Sequence, residues 1–150
     1  AHELFSGTSD TAFTPDSPMT RAMLMTVLAR FDGQDTTGGA VWYEKAMEWA
    51  RENGISDGSD PDGSITREQL AAILYRYAAY QGYDVSQRAD LSGFGDASSI
   101  RGYAQEALSW AHAQGLVLGF EDGSLRPQGT ASRAQIAAVL MRFLAAVSAE

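Results

Sequence analysis

Three arginines stand in the same local setting: Met19-Thr20-Arg21-Ala22, Ile65-Thr66-Arg67-Glu68 and Ala131-Ser132-Arg133-Ala134. A Thr or Ser suited to capping a helix comes just before each Arg. Apolar residues follow at +3, +6, +7 and +10 from the Arg: Leu24, Val27, Leu28 and Phe31, then Leu70, Ile73, Leu74 and Tyr77, then Ile136, Val139, Leu140 and Phe143. That spacing is the stripe of an amphipathic helix, so each Arg takes the first helical position. A cation there is opposed by the helix dipole by ~0.3–1 kcal/mol. The same unfavourable placement three times asks for a compensating negative partner. A carboxylate fits best, because a guanidinium grips it through two parallel hydrogen bonds while the free amides at the helix start face the same anion. Two sources of that partner stay open, an Asp or carbonyl of the neighbouring repeat or an anion from outside the chain.

Other residue types add little chemistry. The two histidines are His2 and His112, the latter on a helix amid Ala and Gln, and neither joins a nucleophile, a Walker loop or a His-Glu-x-x-His motif. With no cysteine there is no thiolate nucleophile or thiolate metal site. Asp57, Asp60 and Asp62 mimic part of a calcium loop, but Gly58 holds the first ligand position and Gln69 the twelfth, which leaves a solvated turn. No catalytic residue, metal or cofactor is therefore expected. Trp49 and Trp110 lie on apolar helix faces and are expected in the core, whereas Trp42 follows a glycine linker and faces either a groove or the interior. A second Arg recurs at +9, as Arg30, Arg76 and Arg142, and is read as a partner for a helix C-terminus or a neighbouring repeat.

Composition narrows the partner. The chain of 150 residues is 45% hydrophobic, enough to bury a core, and carries net charge −8. Eleven basic against nineteen acidic residues do not make the basic face a nucleic acid requires. No apolar run approaches the ~20 residues of a membrane span. Net acidity does not bar an acidic ligand, because distant charges are screened beyond ~8 Å at physiological salt.

The three Arg stretches belong to longer repeats. Helices are expected at roughly 19–31, 42–53, 66–80, 102–114 and 132–147. Gln69 and Gln135 complete capping boxes, while Met23 leaves the first helix a single cap. Gly54 and Gly115 read as stops behind the two Trp-bearing helices. Gly7 and Gly119 each open a loop 14 residues ahead of the helix Arg. Gly58 opens a shorter one, nine ahead, which reads as lacking the aromatic or Leu segment and its Pro. Of the first Trp-type helix only residues 1–6 remain, so the chain is expected to start inside a repeat, as a cut fragment would.

These features resemble the S-layer homology family, whose repeat has an aromatic-x-Asp start, a Trp-bearing helix, a Gly-Leu/Ile stop, a Gly-x-x-Asp-Gly-x-Phe-x-Pro-type loop and an Ile-Thr-Arg-Ala-Glu helix. The resemblance covers nearly all of the chain as a partial first repeat, 1–33, and two fuller ones, 34–82 and 83–150, in one compact unit. It implies an all-α fold, a pseudo-threefold helical bundle shaped as a three-pronged spindle with Gly-rich loops. It also implies an extracellular, non-catalytic module at the bacterial cell wall that binds secondary cell-wall polysaccharide, often through a pyruvate-ketal sugar. Carried over by position, the implied ligand-binding residues are Arg21, Arg67 and Arg133, Trp42 and its equivalent Tyr103, Asp96 of Phe94-Gly95-Asp96, and Gly7, Gly58 and Gly119. No repeat holds the full Ile-Thr-Arg-Ala-Glu string, since Glu68, Gln69 and Gln135 interrupt it, so not every groove is expected to work. The competing expectation is a protein-binding or self-assembly module on the same repeats.

Overall fold

The computed structural model describes residues 19–39, 41–58 and 60–148. It contains five α-helices: α1 Arg21–Phe31, α2 Glu44–Glu52, α3 Arg67–Tyr80, α4 Gln105–Ala113 and α5 Arg133–Ser148. Among the described residues there is no strand, and the fold is all-α. Each helix expected from the periodicity is present, and all three arginines do open their helices.

The ends of these helices are set by local chemistry. Thr20 Oγ1 accepts from the Met23 amide at 3.1 Å, the single cap of α1. Thr66 and Gln69 form a reciprocal box on α3, and Ser132 and Gln135 do the same on α5 at 3.2 and 3.0 Å. Behind α2 and α4, Gly54 and Gly115 take positive φ of 72° and 74°. The next amides, of Ile55 and Leu116, reach back to the carbonyls of Ala50 and Ala111 at 2.9 and 2.8 Å, the Schellman arrangement. Two starts fall later than the periodicity places them. Trp42 lies in a turn before α2, and Gly102–Ala104 forms a 3-10 turn before α4. Neither helix has a side-chain cap at its start, so nothing fixes an earlier first turn.

One joint holds successive repeats together, and it occurs twice. The amides of Arg21 and Ala22 donate to the carbonyls of Gly63 and Pro61, both at 2.9 Å. Those of Arg67 and Glu68 donate to Gly129 and Pro127 at 3.1 and 2.9 Å. Bridges between Thr20 and Ser64 and between Thr66 and Thr130 flank these contacts. Two of the orphan amides at each helix start are thus satisfied by the loop of the next repeat. The joint corrects one expectation about the second loop. Pro61 does the work of Pro127, and the preceding residues, Asp60 and Arg126, share positive φ of 49° and 52°. The shortening therefore falls ahead of the proline, which is kept.

α1 packs on α2, and α3 packs on α4. The three +10 aromatics meet in the centre: the Tyr77 ring lies 6.1 Å from both Phe31 and Phe143. One equivalent residue from each repeat thus meets at one point, as a pseudo-threefold bundle demands. Trp49 and Trp110 are buried beside this cluster, as their helix faces foretell.

Candidate binding grooves

The inter-repeat joint leaves a groove beside each joined pair of helices. One groove, of about 420 Å³, has Arg21 at its edge and Gln69, Ala72, Ile73 and Arg76 of α3 along its wall. Another, of about 250 Å³, has Arg67 at its edge and Gln135, Ala138, Val139 and Arg142 of α5 along its wall. Counted from each wall helix's own Arg, both sets are +2, +5, +6 and +9. The two grooves are therefore equivalents built one repeat apart. Arg133 takes the same kind of seat on α1, donating from Nη2 toward Sδ of Met23, the +2 residue there, at 3.6 Å.

Arg67 is the most fully defined of the three arginines. Its Nη2 donates to Gln135 Oε1 at 2.9 Å, and its guanidinium lies 4.7 Å from the centre of the Phe120 ring. Arg126 covers the same ring at 3.9 Å and pairs with Asp122 at 3.1 Å. Among the described residues no carboxylate pairs with Arg67. Burial, and then the like charge of Arg126, hold its pKa below the ordinary value. Both effects disfavour the cation, and an anion in the groove would relieve both. Arg21 and Arg133 each have interactions within the fold.

The remaining implied site residues separate. Tyr103 lines the Arg21 groove. Gly119 lines the Arg67 groove, at φ 88°, where a Cβ would run into the Phe94 ring. Gly58 lies in a smaller depression with Tyr43, Glu48 and Arg51. Trp42 is 48% exposed, packs edge-on against Tyr43, and lines neither groove. Asp96 faces the loop instead of a groove: its two carboxylate oxygens accept from the amides of Leu125 and Arg126, each at 2.8 Å. Burial pushes this carboxyl up, but the two amides outweigh it and hold it below the usual range. Gly7 lies outside the described residues.

The residues not anticipated as lining a groove are the +9 arginines. Arg76 and Arg142 line the two grooves, and Arg142 also donates to the Leu116 carbonyl at 3.3 Å, the inter-element role expected of it. Their signal was present, because +2, +5, +6 and +9 form one helix face next to the apolar stripe. Glu68 is a second surprise. It is fully buried where the other two helices carry alanine, Ala22 and Ala134.

The comparisons with known proteins agree with this architecture. The S-layer homology domain model matches residues 1–22 and 93–137. An endoglucanase of Bacillus sp. (strain KSM-635) is 32% identical over 95% of this chain, which spans 16% of that protein. A cellulosome-anchoring protein of Acetivibrio thermocellus is 28% identical over 88% of this chain, which spans 33% of it. Among solved structures, an undecaheme cytochrome from the S-layer of Carboxydothermus ferrireducens superposes with a TM-score of 0.54. It is 23% identical over 89% of this chain and 18% of its own, and shares the fold. The family model and the anchoring relative mark the chain as an extracellular cell-surface anchoring module. The family that these matches support is S-layer homology.

Proposed function

We propose that this chain is a non-catalytic module that holds its parent protein on the cell wall by binding an acidic secondary polysaccharide, pyruvylated sugars among its units, in the grooves between repeats. Arg21, Arg67 and Arg133 contact the acid groups, each at the start of its repeat's capped helix. The repeats run 1–33, 34–82 and 83–150 and act as one unit. The observation that carries this reading is Arg67, a part-buried guanidinium at a groove edge that has a like charge beside it and no carboxylate partner among the described residues. The names of the anchoring relative and of the S-layer cytochrome support the same setting. The endoglucanase matches through only 16% of its length, so its enzyme name is not carried over.

The test is co-sedimentation of the chain with purified cell-wall sacculi before and after chemical removal of the secondary polysaccharide. Binding lost on removal is the expected result, and binding that survives it refutes a glycan anchor. A second reading, a protein-binding or self-assembly module, draws on the apolar lining of the Arg67 groove, where Leu70, Leu116, Val117 and Leu118 stand near Phe120. Retained binding to stripped sacculi would favour it.

A further inference from the structure

The Arg21 groove has a wall that its counterpart lacks. Arg101 and Tyr103, from the connector ahead of α4, line it opposite Arg76. Both are held by the buried Glu68. Oε1 of Glu68 accepts from the Arg101 amide at 3.2 Å and from Gln128 Nε2 at 3.0 Å. Oε2 lies 3.3 Å from Arg101 Nη1 and accepts from the Tyr103 hydroxyl at 3.4 Å. Burial, and then the Glu68 charge, raise the pKa of Tyr103, which keeps it a neutral donor. Gln128 also donates to the Ser99 carbonyl at 2.8 Å, tying the same carboxylate to the loop behind it. Among the described residues every side-chain or connector donor meeting the Glu68 carboxylate comes from the third repeat, so this carboxylate clamps the third repeat's connector onto the second repeat's helix.

The clamp fills only one side of Arg101. Its side chain stays 61% exposed while Glu68 has no exposure, so the guanidinium keeps donors facing the groove. Arg76 is exposed and makes no ion pair among the described residues. Asp57, also lining this groove, has interactions of its own. The groove continues into a second depression of about 300 Å³ that shares Ala72, Arg76 and Tyr103 with it. Three guanidinium groups, one aromatic face and a cleft in two sections exceed what a single carboxylate on a single sugar needs.

Building on the glycan reading above, we propose that this cleft is the module's selective subsite. It takes an oligosaccharide segment bearing more than one acid group, with Arg76 and Arg101 as direct contacts and Glu68 as the residue that positions Arg101 and Tyr103. The Arg67 groove, with fewer cations and an apolar wall, takes a singly charged unit. Specificity for closely spaced charges then resides in one groove, and it arises from Glu68 standing where the other helices have alanine.

Calorimetry on the full chain tests this, with the acidic oligosaccharide fraction released from sacculi and a pyruvylated monosaccharide as the two probes. Arg101→Gln and Arg76→Gln should each weaken the oligosaccharide about tenfold, a larger loss than either causes for the monosaccharide. Glu68→Ala should lose at least as much as Arg101→Gln, and the double variant should be no weaker than Glu68→Ala alone, because Glu68 holds Arg101 as well as Tyr103. Ala22, buried at the same offset on α1, shows that a repeat helix carries alanine there. Unchanged oligosaccharide binding by Arg101→Gln and Arg76→Gln, with loss in Arg67→Ala, overturns this proposal and leaves the glycan anchor standing. Additive losses for Glu68 and Arg101 overturn the positioning role. If the unmodified chain binds neither probe, the anchor reading itself falls.

Discussion

At the scale of single residues, position and partner decide what each charge does. Arg67 and Arg126 share the Phe120 ring, yet only Arg126 has a carboxylate beside it. Arg67→Ala should therefore reduce sacculus binding about tenfold with little change in melting temperature, since no internal ion pair is lost. Thermal unfolding followed by circular dichroism checks the second half, and a fall of many degrees would show a structural Arg. Asp96 has the opposite character. Two amide bonds to a carboxylate anchor the loop around Leu125 and Arg126, so Asp96→Ala should cost about 2–4 kcal/mol in urea unfolding. Nearby Asp122 is held at about 2 by the Ser124 hydroxyl and amide and by Arg126. Both carboxyls are thus depressed in the folded chain. Their contribution is complete above the unfolded value of about 3.9 and is lost as pH falls through the folded values. Amide-exchange protection factors at Ser124, Leu125 and Arg126, taken relative to the intrinsic rate at each pH, should fall between about pH 4 and 2, ahead of those of the helices.

At the scale of elements, most of the helical framework was legible because it is encoded locally. Caps at Thr20, Thr66 and Ser132 and stops at Gly54 and Gly115 act within four or five residues of themselves, and each forms the bonds its type implies. Thr66→Ala should cost about 1 kcal/mol, or about 2–4 °C in melting temperature. The groove walls were less legible. The +9 arginines sit on a helix face that periodicity marks as polar, and only the neighbouring repeat's arrival turns that face into a lining. Glu68 reads in sequence as an ordinary acidic first-turn residue. Its burial depends on Arg101, Tyr103 and Gln128, which lie 33 to 60 positions away. Pro61 was misread for a related reason: its equivalence to Pro127 is fixed by distance to the helix Arg and by hydrogen bonding, whereas loop length counts from the glycine.

At the scale of the whole molecule, one joint repeated between successive copies brings Phe31, Tyr77 and Phe143 together and leaves grooves at the periphery. Core and grooves follow from the same operation, which is why residues of matching offset recur in both. Tyr77 belongs to the second repeat and touches rings from the first and third. Tyr77→Ala should cost about 3–5 kcal/mol and loosen all three copies at once, read as a single shifted urea transition by both far-ultraviolet dichroism and tryptophan fluorescence. The most direct measurement of the central claim is the arginine Nε–Hε spectrum of the chain, titrated with a pyruvylated monosaccharide. A saturable shift of the Arg67 resonance is expected, while that of Arg88, engaged with Glu106 and Tyr75, should not move. An Arg67 resonance unmoved at saturating sugar would contradict the claim that this guanidinium receives an anion from outside the fold.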